Sequence, residues 1–158
     1  MKVILTGATG MAGEGVLFEC LQNEEVSELL VPDFTKLDGL EEQLKGYDAC
    51  FYCAGISSVG MDEKEYTHIT YDTTMAFAEK LVQLNPNMVF NYITGGSTDS
   101  SEKGSVMWAR VKGKTENALM RLPFRGQYNF RPGFMKPFKG QKNVKTLYKP
   151  VIWLYPII

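Results

Sequence analysis

Residues 2–13 constrain the fold more tightly than any other stretch. An apolar strand, Lys2-Val3-Ile4-Leu5-Thr6, runs without a break into Gly7-Ala8-Thr9-Gly10-Met11-Ala12-Gly13. A helical pattern, Gly15-Val16-Leu17-Phe18-Glu19-Cys20-Leu21, follows at once. Each glycine has a physical task in such a strand–turn–helix: Gly7 takes the sharp turn, Gly10 lets backbone N–H groups approach a ligand, and Gly13 lets the helix pack close to the strand. The helix N-terminus then presents unpaired N–H groups and a positive dipole end, which suits a pyrophosphate. A glycine triplet alone is a weak signal, but this one lies between a strand and a helix as a dinucleotide site requires. The competing reading is a purely structural turn.

The rest of the chain alternates in the same way, strand-like runs with helix-like runs, which predicts a parallel sheet covered by helices. Strands are expected at 2–6, 28–31, 49–53, 88–93 and 127–131. Helices are expected from Met11 to Asn23, over 64–84 and over 106–120, with a short amphipathic helix from Leu37 to Lys45 carrying Leu37, Leu40 and Leu44 on one face. Asn85-Pro86-Asn87 stops the long helix. The 158 residues suit one domain with a real core, and no linker or repeat divides them. The predicted fold is therefore α/β, a three-layer doubly wound parallel sheet in a single domain.

Charge and composition exclude several partners. A formal net charge of −1 gives no electrostatic reason to expect nucleic acid or an acidic membrane. Met1 leads directly into a strand, so no export signal or membrane span is expected, and the three cysteines point to reduced thiols in a cytoplasm. Cys50 and Cys53 form a C-x-x-C on a strand, where residues three apart point to opposite faces, so redox pairing is not expected. No His/Cys/Asp/Glu group has metal-ligand spacing. His68 reads as an exposed helix residue.

In order along the chain, Thr6 to Gly13, Asp33-Phe34, Cys53-Ala54-Gly55, the polar loop after the strand at 88–93, Lys112 and Arg131-Pro132-Gly133 resemble the short-chain dehydrogenase/reductase superfamily in its atypical and extended branch. Ser58-Val59-Gly60-Met61 and Trp108-Ala109-Arg110-Val111-Lys112-Gly113-Lys114-Thr115-Glu116 are most similar to a tumour-suppressor group of small NAD(P)-binding proteins and the bacterial epimerases related to it. The resemblance implies a Rossmann-like NAD(P)-binding domain over 1–158, with about 134–158 opening a substrate segment that is cut short. It implies cofactor contacts at Gly7, Thr9, Gly10, Met11, Ala12, Gly13, Asp33, Phe34, Cys53, Ala54, Gly55, Lys112, Arg131, Pro132 and Gly133. Its chemistry would be an oxidoreductase or epimerase step on a small carbonyl or sugar-nucleotide-like substrate.

One segment is compressed relative to that family. Asp33 lies about twenty residues past Gly13, where spacing alone assigns a carboxylate to the ribose 2′-OH of NAD. The resemblance instead aligns Asp33-Phe34-Thr35 with the stretch after the third strand, beside the adenine. About twenty residues of the pattern, with the NAD/NADP selector, would then be absent between Glu28 and Val31. On that reading the cofactor is NADP or NAD, with a slight lean to NADP. The apolar run from Leu147 to Ile158 would pack on the domain, cover the surface of a second copy or another protein, or be the stump of a longer chain.

The catalytic assignment is incomplete. The family's Y-x-x-x-K lysine is matched by Lys112, but Trp108 stands where the tyrosine belongs. An indole N–H donates a hydrogen bond and does not titrate usefully, so it cannot replace a phenol as acid or base. Thr94 or Ser97 matches the helper hydroxyl. Tyr92 and Tyr128 read as core or sheet-face residues, while Tyr52 and Tyr66 are phenols that could substitute without any support from spacing. A protein with a lapsed active site, sensing dinucleotide and recruiting partners, is the alternative function.

Overall fold

The computed structural model describes residues 1–33, 39–133, 135–138 and 140–141. Five parallel strands form one sheet: β1 (Lys2–Thr6), β2 (Glu28–Leu30), β3 (Ala49–Tyr52), β4 (Val89–Ile93) and β5 (Gly126–Phe130), in the order β2-β1-β3-β4-β5. Helix α1 (Met11–Gln22) links β1 to β2. The β3–β4 connection is one continuous helical stretch, α2 (Glu63–Thr67), a π turn (His68–Asp72) and α3 (Thr73–Leu84), and α4 (Met107–Leu119) joins β4 to β5. Right-handed crossovers running outward in both directions from the β1/β3 junction set α1 on one face and α2–α4 on the other. The chain thus has a Rossmann-like α/β fold.

Register explains the core. Thr6, Tyr52 and Tyr92 align across β1, β3 and β4, as do Ile4, Cys50 and Phe90 one pleat earlier. Ile4, Cys50, Tyr52, Phe90 and Tyr92 pack with Phe77, Ala78 and Leu81 of α3 and with Leu119 of α4, all essentially closed to solvent. Truncating Phe77 or Phe90 to alanine would cost about 3–5 kcal/mol, the range for emptying a buried aromatic site.

The long helix runs without interruption as expected, with a π turn in its N-terminal half. The expected helix at 37–45 does not form where it is described: residues 41–46 are turns, with Leu44 N–H donating to Leu40 O at 3.0 Å. Gly39 (φ +82) and Gly46 (φ +79) bound this segment in the left-handed region, leaving too little chain between them for a stable helix. Leu44 still enters the core, held by Asn85, whose amide accepts from Gly46 N–H (2.7 Å) and donates to Leu44 O (2.8 Å). After β5 the chain returns to α1, where Phe138 stacks on Phe18 at 5.0 Å and Gln141 Nε2 donates to Met11 O at 2.6 Å. Phe34 and the apolar segment 147–158 lie outside the described residues. Among the described residues no helix is long and apolar enough to cross a membrane.

Candidate functional site

The glycine turn has the geometry its sequence requires. Gly7 sits at φ +67, and a Cβ there would fall 2.5 Å from Ala54 N, so β1's exit and β3's exit touch backbone to backbone. A Cβ on Gly13 would fall 2.0 Å from Gly7 O, which seats the first turn of α1 directly on the loop. Gly10 caps α1 in an extended conformation with no side-chain hydrogen bond, and Gly10 itself is exposed. The first N–H groups of a 12-residue helix therefore open outward beside Thr9, with half-buried Met11 and Ala12 behind them. Cys53 N–H donates to Thr6 O and Ala54 N–H to Thr6 Oγ1, both at 3.3 Å, drawing Cys53-Ala54-Gly55 against this turn. Asp33 is exposed, three residues past β2, the strand beside β1.

A second group of expected residues gathers where β4 and β5 end. Thr94 N–H donates to Phe130 O (2.8 Å) and Gly96 N–H to Pro132 O (3.0 Å), so Gly95-Gly96 and Pro132-Gly133 run side by side. At their base is Glu116, 2% exposed, which the sequence did not single out. Its carboxylate accepts from Thr94 Oγ1 at 2.6 Å and from Arg131 through Nε at 3.1 Å and a terminal guanidinium nitrogen. Arg131 also reaches the Ser100 hydroxyl. The Thr94 proton is thereby given to Glu116, and the Arg131 guanidinium is held by Glu116 and Ser100. Ser97 is exposed in the loop.

Between the two groups lies a cavity of about 340 Å³, walled by Tyr52, Tyr66, Tyr92, Thr70, Thr74 and Lys112, with Gly55 and Ile56 on one rim and His68 and Ile69 on another. Lys112 Nζ donates to Thr94 O at 3.3 Å. Burial lowers its pKa against the opposing pull of Glu116. Burial pushes the Tyr52 phenol up to about 12 and the Tyr92 phenol higher still. It also raises the Cys50 and Cys53 thiols, Cys53 to about 12, so neither is a reactive thiolate. Trp108 does not line the cavity; its half-buried ring packs where a Gly95 side chain would begin, 3.7 Å from that position. His68 is exposed as expected and pairs with Asp72 at 3.1 Å. Tyr92 is buried, whereas Tyr128 is 58% exposed on the sheet face.

Arranged in this way, the residues form a groove across the carboxyl ends of β1, β3 and β4, at the point where the strand order reverses. That is where open α/β sheets bind ligands. No protein-family model matches the sequence. No curated protein matches it either. Solved structures do share its fold. UDP-glucuronic acid 4-epimerase from Bacillus cereus, in complex with NAD, superposes with a TM-score of 0.64 at 16% identity, over 83% of this chain and 55% of that one. ADP-L-glycero-D-manno-heptose-6-epimerase of Helicobacter pylori gives 0.63 at 13% identity, over 82% of this chain and 54% of that one. A short-chain dehydrogenase/reductase superfamily protein from Agrobacterium tumefaciens with bound NAD gives 0.58 at 13%, over 83% and 48%. The chain spans about half the length of these structures. Its fold is the Rossmann-like α/β fold that these structures share.

Proposed function

We propose that this chain binds a nicotinamide dinucleotide and serves redox chemistry of the reductase or epimerase kind on a small carbonyl or sugar-nucleotide-like substrate. The observation that carries the reading is the backbone contact of Gly7 with Ala54 beside the open N-terminus of α1. It leaves no room for side chains where a pyrophosphate would lie and turns unpaired N–H groups toward it. In this reading Met11 and Ala12 hold the phosphates, and Gly10, whose own N–H donates to Gly7 O at 2.9 Å, leaves them room. Ala54 and Gly55 flank the cofactor, and Lys112 grips the nicotinamide ribose. Pro132 and Gly133 close the far end of the groove. The nicotinamide, when bound, supplies or accepts a hydride.

NAD is the better fit of the two cofactors. Asp33 follows the strand that neighbours β1 rather than a third strand, which favours the ribose assignment over the adenine one. This reverses the lean to NADP, since a carboxylate there bonds a ribose hydroxyl and repels a 2′-phosphate. The NAD complexes among the structural neighbours agree with this choice. A second reading, a dinucleotide-sensing scaffold without catalysis, draws on Trp108, which leaves the usual acid/base position without a titratable group.

Calorimetry with NADH and NADPH tests the binding. NADH is expected to bind more tightly, and Asp33→Ser to narrow the difference by at least about fivefold, as loss of one charge-assisted bond implies. Gly10→Asp places a carboxylate against the pyrophosphate and is expected to weaken both cofactors more than about tenfold. Absence of binding by either cofactor in the parent chain would end the proposal. Reduction of any member of a carbonyl panel by the parent would end the scaffold reading.

A further inference from the structure

The cavity beside Lys112 needs a proton donor, and the helical turn before that lysine does not provide one. Trp108 occupies the place and faces Gly95 outside the cavity wall. Three phenols do line the cavity, and their surroundings separate them. Tyr52 and Tyr92 rise from the sheet and pack on one another at 5.8 Å, with Tyr52 also against Phe77 and Phe90. All three phenols are raised in pKa by burial and have a threonine beside them, Thr74 by Tyr52, Thr115 by Tyr92 and Thr70 by Tyr66, so the threonines do not distinguish them. What sets Tyr52 and Tyr92 apart is their ring packing. These two phenols are committed to the core.

Tyr66 is placed differently. It is the one buried residue of α2, 2% exposed, and stands one turn before Thr70 at the entry to the π turn. π turns inside helices recur at functional sites because the extra residue widens the helix and redirects its side chains. Here Ile69, Thr70 and Thr73 of this widened stretch all reach the cavity, and Thr73 Oγ1 donates to His68 O at 3.2 Å. Tyr66 and Lys112 thus approach one space from separate elements, with His68 and Ile69 at a solvent-exposed rim.

We propose that Tyr66 is the proton-transfer residue of this cavity, acting in place of the phenol that Trp108 displaces. In carbonyl reduction, the carbonyl carbon accepts a hydride from a dihydronicotinamide and the C=O π pair moves onto oxygen. That oxygen takes the Tyr66 phenolic proton. An alcohol and an oxidised nicotinamide result, and the Tyr66 phenolate recovers a proton from water at the His68 rim. The Lys112 ammonium steadies the phenolate meanwhile. Alcohol oxidation runs the same transfers in reverse. The inference rests on the dinucleotide reading given above.

The test reads the phenol itself. Tyrosinate absorbance of the whole chain is titrated with and without saturating NAD⁺. The titratable groups that line the cavity with Tyr66 are Lys112, Tyr52, Tyr92 and His68. A bound nicotinamide cation beside Tyr66 is expected to lower one phenol's midpoint by about one pH unit. That response should vanish in Tyr66→Phe and persist in Tyr52→Phe. Thr70→Val, which keeps the phenol, should raise the same midpoint and serves if Tyr66→Phe does not fold. With a reducible carbonyl, Tyr66→Phe should lose about a hundredfold or more in rate while NADH affinity stays within about twofold. A response that survives in Tyr66→Phe overturns the inference, as does its absence when calorimetry shows NAD⁺ bound, and either leaves the dinucleotide reading standing. Failure of NAD⁺ and NADP⁺ to bind overturns both.

Discussion

Glu116 carries the two loops on which half of the groove is built. The residue is 2% exposed, and its carboxylate is satisfied by Thr94 and Arg131. Removing the cation strands a buried charge, which costs far more than the pair contributes when intact. Arg131→Met is therefore expected to destabilise the fold by about 3 kcal/mol, toward the lower end of that class because the arginine side chain is 36% exposed. Adding Glu116→Gln should recover part of the loss. Urea unfolding of the four forms checks this, and single losses that simply add would show that the two side chains are not coupled. The same cluster marks what could be read from sequence at this scale. Lys112 was legible because its pattern is local, one helical turn long. The duties of Thr94 and Arg131 were not, because their partner lies 22 and 15 positions away and reads as a surface glutamate on a polar helix.

At the scale of elements, α4 and the loop before it are locked by a missing side chain. A Cβ on Gly113 would fall 1.8 Å from Asp99 O and 3.1 Å from Ser100 N, so the 99–104 loop rests on the helix backbone there. The loop is closed on itself by Asp99, which accepts from Gly104 N–H at 2.7 Å and Ser101 N–H at 2.9 Å, and cannot easily retreat. Gly113→Ala should cost about 3 kcal/mol or more, as over-filling does where only backbone can move. Gly15 in α1 is the control. Nothing lies within 4 Å of its would-be Cβ, so Gly15→Ala should stabilise by about 0.5–1 kcal/mol through helix propensity alone. Thermal unfolding of both variants reads the opposite signs, and equal shifts would contradict the packing. Strands and long helices were legible because their apolar periods are set by burial on one face. The 41–46 turns were not, since Leu40 and Leu44 have helical spacing, and only the two left-handed glycines forbid the helix. The π turn left no periodic trace either, because one inserted residue shifts the pattern less than ordinary sequence variation does.

For the whole molecule, burial of neutral acids and one buried base decides the response to alkaline pH. Cys50 and Cys53 are raised from 9.0 and Tyr52 and Tyr92 from 10.0, so above those values the unfolded chain releases protons that the folded chain keeps. Stability then falls as pH rises. Lys112 acts the other way: its folded pKa lies below 10.5, so between that lowered value and 10.5 the unfolded chain holds the extra proton and stability rises with pH. Magnitudes choose between them. From pH 9 to 10.5 the two thiols cost about 3 kcal/mol together and the two phenols about 2, while Lys112 returns at most about 2. Cys20, Tyr47 and Tyr66 are raised in the same direction, so the net expectation is a loss of at least about 3 kcal/mol over that interval, seen as a falling urea midpoint. Cys50→Ala with Cys53→Ala should flatten the first part of the fall, between pH 9 and 10, and leave the later phenol-driven part in place. Lys112→Met should steepen the decline and raise stability near neutral pH, because it removes a cation held in a desolvated cavity. A midpoint that climbs from pH 9 to 10 in the parent would mean that the lysine outweighs both thiols. The interior of the sheet would then be wetter around Cys53 than its burial implies.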